Sequence, residues 1–138
     1  VTDWTVTTQE IDMAQYMLLL HQAPNADDMP RDKMMEVIRR YSAWAESLRQ
    51  KGQLAGGEKL TAGEVRHVRT KDGKAVASDG PYAEAKDVIG GYFLIEAGNA
   101  AAAEAIASDC PHLSQAANNW IEIRPIDQMS VDQAKAAG

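Results

Sequence analysis

Between residues 30 and 51 the apolar side chains Met34, Ile38, Tyr41, Ala45 and Leu48 recur at spacings of three and four, with Val37 and Trp44 widening the stripe. Such a period fits one face of an α-helix, and Gly52 supplies its stop. One long amphipathic helix buries its stripe only against another layer, so the flanking segments decide the fold. Before it, residues 15–21 are apolar nearly throughout and read as a central strand, followed by a loop over 23–28. After it, residues 53–60 and 64–71 read as strands joined near Thr61-Ala62-Gly63, and Asp72-Gly73 turns the second into a strand over 74–78 as a hairpin. Residues 91–97 form the next strand. Asn99 caps a helix over 100–110 that Pro111 ends, and 120–125 alternates as the last strand.

With the hairpin around Asp72-Gly73 set aside, the order is strand, helix, strand, strand, helix, strand. That is the split β-α-β arrangement of an α+β, ferredoxin-like βαββαβ fold with an inserted β-hairpin. Residues 1–14 read as an N-terminal extension, 15–129 as one domain and 130–138 as a tail, with no linker dividing the chain. Two helices cover one face of such a sheet. The other face therefore calls for polar residues or a partner, and the expectation is a homodimer whose sheets face one another across a cavity.

Charge and composition remove several classes of function. Fourteen Lys and Arg against twenty Asp and Glu give a net charge of -6, which argues against nucleic acid, since phosphate binding needs a concentrated positive face. The apolar run 16–20 is too short to span a bilayer, and no basic region followed by an apolar stretch opens the sequence. A single cysteine, Cys110, forms no internal disulfide, so a cytoplasmic location is expected. Neither Gly56-Gly57 nor Gly90-Gly91 belongs to a G-x-G-x-x-G or phosphate-loop pattern, and Ser78 is not in a G-x-S-x-G elbow. His21, His67 and His112 have no metal-ligand spacing, so no metal and no cofactor are expected.

The segment Asp79-Gly80-Pro81-Tyr82-Ala83-Glu84-Ala85-Lys86-Asp87, running on to Gly90-Gly91-Tyr92-Phe93-Leu94-Ile95, resembles the signature of the DGPF branch of YCII-related proteins. Tyr16-Met17-Leu18-Leu19 is similar to that family's first strand, Gly52-x-Leu54-x-Gly56-Gly57-Glu58-x-Leu60 to its second, and Cys110-Pro111-His112 with the stretch 121–126 to its close. The resemblance spans about residues 15–129. It implies a dimeric α+β barrel of ferredoxin-like subunits in a largely uncharacterised family, some of whose members are linked to sigma factors. It also implies, for related members proposed as enzymes, a His on the first helix with an Asp nearby. Here that helix has no His, and Tyr41 stands at the approximate position.

The candidate catalytic residues are Asp79, Glu84, Lys86 and Tyr41, and the candidate ligand-binding residues are His21, Tyr82 and Arg124. Asp79, before Gly-Pro, reads either as a general base or substrate anchor or as the holder of its turn. Glu84 and Lys86 read either as a charged pair facing a pocket or as a salt bridge pinning the loop, with Asp87 a solvated or helix-start charge. Tyr41 is either a proton carrier or a member of the helical stripe whose hydroxyl is satisfied at the edge; its ordinary pKa near 10 makes it a weak base. His21 ends the first strand, pointing into a cavity or to solvent. Arg124 suits an anionic group or pairs with Glu96 or another acid. Cys110 reads as an inert thiol, His67 as a strand residue with a solvated side, and His112 as a loop residue. Two functions follow: a small-molecule enzyme with acid–base residues in a sheet-lined dimer cavity, or a non-catalytic ligand-binding or accessory protein of sigma-factor regulation.

Overall fold

The computed structural model describes residues 13–61, 63–79 and 86–127. Among the described residues nine elements follow one another: β1 (Ala14–Gln22), α1 (Arg31–Gln50), β2 (Leu54–Lys59), β3 (Arg66–Lys71), β4 (Lys74–Asp79), β5 (Val88–Ala97), α2 (Ala100–Ser108), α3 (His112–Gln115) and β6 (Trp120–Pro125). The main sheet has the order β2-β5-β1-β6 and every adjacent pair is antiparallel. The fold is thus mixed α+β, and its strand order is that expected for two split β-α-β units. β3 and β4 pair with each other as a separate two-stranded ribbon. Their turn has Asp72 at φ 52° and Gly73 at φ 78°, the two positive angles that let a two-residue loop match the twist of its strands.

The ends of the helices follow local chemistry. In α1 the amide of Gly52 (φ 71°) donates to the Arg49 carbonyl and that of Gln53 to the Leu48 carbonyl. This paired closure satisfies two otherwise orphaned carbonyls. In α2 the Asn99 side chain accepts from the Ala102 amide at 2.8 Å. Beyond it the alanine-rich sequence favours helix and lets Ala103 and Ala107 lie close against the sheet.

Alternation along β1 sends Tyr16, Leu18 and Leu20 to the helix side and Met17, Leu19 and His21 to the open side. Pairing carries the same division across the sheet. Phe93, Ile95, Ile121 and Ile123 share the covered face, whereas Tyr92, Leu94, Trp120, Glu122 and Arg124 share the open one. The core gathers Tyr16, Leu18, Leu48, Ile95, Ala97, Ala103 and Ala107, with Trp44 edge-on to Phe93 at 4.9 Å. Two expectations are corrected. β5 begins at Val88 rather than 91, because Val88 and Ile89 pair with Gln22 and His21 beyond a bulge at Gly90, the extra residue of β5. His112 opens a short helix instead of lying in a loop.

Candidate functional site

The α1 stripe divides along its length. Its C-terminal part, Trp44 and Leu48, enters the core, but Met34, Val37, Ile38, Tyr41 and Ala45 look onto a cavity of about 330 Å³ between α1 and the sheet. The floor lacks side chains because Gly57, Gly90 and Gly91 lie there. A Cβ at Gly57 would stand 2.7 Å from Phe93 Cδ1 and 2.8 Å from the Tyr92 carbonyl. One at Gly90 would stand 2.3 Å from the Gln22 side chain, which itself lines the cavity. Leu20, Met29 and Phe93 add apolar wall.

Tyr41 and His112 also line this cavity. The Tyr41 hydroxyl lies 3.0 Å from His112 Nδ1, and His112 Nε2 lies 2.7 Å from the His21 backbone carbonyl. A carbonyl only accepts, so Nε2 carries the hydrogen and, in the neutral ring, Nδ1 accepts the tyrosine proton. His112 is 1% exposed, and burial lowers its pKa. Burial first, then the neighbouring Cys110 and Asp27, raises the pKa of Tyr41. Cys110, just ahead of α3, is a buried thiol pushed up to about 11 by desolvation, in accord with an inert cysteine. The resting pair is therefore a phenol donating to an imidazole. Toward the rim, Asp27 accepts from Lys59 Nζ at 2.7 Å and from Gln22 Nε2 at 3.3 Å.

A second cluster occupies the open face. His21 stacks on Trp120 with centroids 3.9 Å apart and planes 13° from parallel. Its Nδ1 is 3.0 Å from Asp87 Oδ2 and its Nε2 is 2.9 Å from Glu122 Oε1, while Trp120 Nε1–H donates to the same Asp87 oxygen at 3.1 Å. The hydrogen bond from His21, helped by Arg124, holds the Glu122 carboxyl below the usual carboxylate range. Asp87 starts no helix; it is exposed, as a solvated charge is, and in addition anchors two rings. The partner of Arg124 is Glu122 on its own strand at 3.4 Å, not Glu96. His21 does not enter the helix-side cavity by its ring, but its carbonyl fixes His112 there.

The remaining candidates are dispersed. Asp79 ends β4, pairs with Arg66 across the ribbon and has an 89% exposed side chain. It is not among the cavity residues. Lys86 is exposed and also outside the lining, and Glu84 and Tyr82 fall outside the described residues. His67 is half-buried with Nδ1 unpartnered, unlike the solvated side expected of its strand. The sequence reading missed the Tyr41–His112 pair; its available signal was Cys110-Pro111-His112 placing a ring just beyond the second helix. Among the described residues, no cluster of three or more potential metal ligands occurs, and no helix is long and apolar enough to cross a membrane.

No curated protein matches the chain in sequence. Compared with protein families, residues 14–130 match the YCII-related domain, a span that takes in every element bounding the cavity and both histidine clusters. The chain therefore belongs to the YCII-related family.

Proposed function

We propose that this chain is a small-molecule enzyme whose side chains carry acid–base chemistry in the cavity between α1 and the sheet. The observation that carries this reading is the Tyr41–His112 pair, a hydroxyl at a cavity wall backed by a buried imidazole. In one direction, a substrate proton passes to the Tyr41 oxygen as the tyrosine proton moves to His112 Nδ1. Tyrosinate is never formed, in keeping with the raised pKa of Tyr41. Burial, with the nearby His21 and Lys59, disfavours the imidazolium so produced, while its hydrogen bond to the His21 carbonyl and the negative charge of Asp27 favour it, so the proton is held only briefly. The reverse transfer returns the proton to product.

The signature residues 79–87 support placing the chain in the DGPF branch. We also propose that two copies pair through the open sheet face, where Met17, Leu19, Tyr92 and Leu94 form a half-buried apolar band beside Trp120, which is 45% exposed. A second reading, an accessory protein that docks a partner, is favoured by the β3–β4 ribbon, where Val68 is 67% exposed and Val76 also faces solvent.

The test is a metabolite screen by thermal shift, followed by NMR of each stabilising compound in D2O with the protein present. Acid–base catalysis predicts deuterium entering an activated C–H position. Tyr41→Phe should bind the same compound yet lose exchange by at least about 100-fold, the lower range for a positioned proton carrier. Undiminished exchange in both Tyr41→Phe and His112→Gln would remove the pair from the chemistry. Binding without exchange of any compound would favour the accessory reading.

A further inference from the structure

The charges around the cavity say what kind of molecule it receives. Among the described residues that line it, Glu58 pairs with Tyr92 and so turns its carboxylate to the open face, which leaves Asp27 and Lys59 as the carboxylate and ammonium on the cavity side. Lys59, the cation, is already paired with Asp27 at 2.7 Å. A carboxylate or phosphate entering here would find no unpaired cation, and an uncompensated charge placed against apolar wall is strongly disfavoured. The Tyr41–His112 wall agrees, since both side chains are held in their uncharged forms near neutral pH. The volume of about 330 Å³ is roughly twice that of a ~150 Å³ cavity known to hold benzene, which suits roughly a dozen non-hydrogen atoms. Met29 and Met34 offer polarizable sulfur, and the Phe93 and Tyr41 rings, with centroids 6.3 Å apart and planes 18° from parallel, together present aromatic surface against which a ring can pack.

We propose that the cavity selects an uncharged, ring-bearing organic molecule that presents a hydroxyl or carbonyl to Tyr41, and that the Asp27–Lys59 pair enforces this selection by cancelling the one cation at the rim. This names the substrate class of the site proposed above and rests on that reading.

The experiment is a titration at pH 7.5 with three probes of one shape: 2-naphthalenemethanol, 2-naphthoate and 2-naphthylmethylamine. The alcohol should bind, with the naphthoate weaker by about ten-fold or more, a difference easily resolved in Kd. Asp27→Asn frees Lys59 and should improve naphthoate relative to the alcohol by about the same factor. Met34→Trp, which fills cavity rather than core, should abolish alcohol binding while the thermal midpoint is kept. Equal or tighter binding of naphthoate or the amine by the wild-type chain overturns the proposal. So does an absence of binding by all three, or alcohol binding that survives Met34→Trp. These probes report binding alone. A failure here with Tyr41-dependent deuterium exchange intact would discard the substrate class and leave the acid–base reading standing.

Discussion

At the scale of single residues, His112 links protonation to folding. Its pKa is lowered from 6.5 by burial, so below that pH the unfolded chain binds more protons than the folded one, and stability falls as pH falls. Glu122, lowered from 4.5 by its hydrogen bond with His21, acts in the same direction over a more acidic window. Urea midpoints at pH 7.5, 5.5 and 4 should therefore decline in two stages. His112→Gln should suppress the decline between 7.5 and 5.5, and Glu122→Gln should reduce the one below it. Tyr41→Phe tests the same network from the other side, because it leaves His112 Nδ1 buried without a donor. The expected cost is about 1–2 kcal/mol, measured by urea unfolding at pH 7.5.

At the scale of elements, the best-defined boundaries are those with their own turn or cap chemistry. Gly52, Asp72-Gly73 and Asn99 each mark an end in the sequence, and the structure uses each as such. Asn99→Ala should destabilise the protein by about 1 kcal/mol, read from the shift in urea midpoint, because the Ala102 amide then loses its acceptor. Elements without such chemistry were harder to read. The start of β5 is obscured by Gly90-Gly91, where Gly90 bulges and the pairing of Gly91 with β1 and β2 depends on strands far away in sequence. The four residues of α3 are too few to show a helical period. The α1 stripe was legible as a stripe, but its division into core and cavity depends on glycines contributed by β2 and β5, which no local pattern reveals.

At the scale of the whole molecule, the open sheet face leads to a prediction about assembly. If two copies pair there, Leu94→Arg should halve the mass measured by light scattering while changing the thermal midpoint of the separated chain little, since Leu94 faces away from the helices. A wild-type monomer would dismiss the pairing outright. The candidate site was only partly visible from sequence for a related reason. Tyr41 could be singled out on its helix, but His112 reaches it across 71 positions and Asp87 reaches His21 across 66, so both pairings exist only once the strand order is set. The glycine floor carries a further consequence. Backbone has no rotamers to freeze, so a guest settling on that side causes little loss of side-chain entropy, and the surface is already in its bound shape before the guest arrives. Size discrimination there should be abrupt: an extra methyl directed at the floor meets peptide groups fixed by strand pairing, whereas one directed at Met29 or Met34 meets side chains that can turn aside.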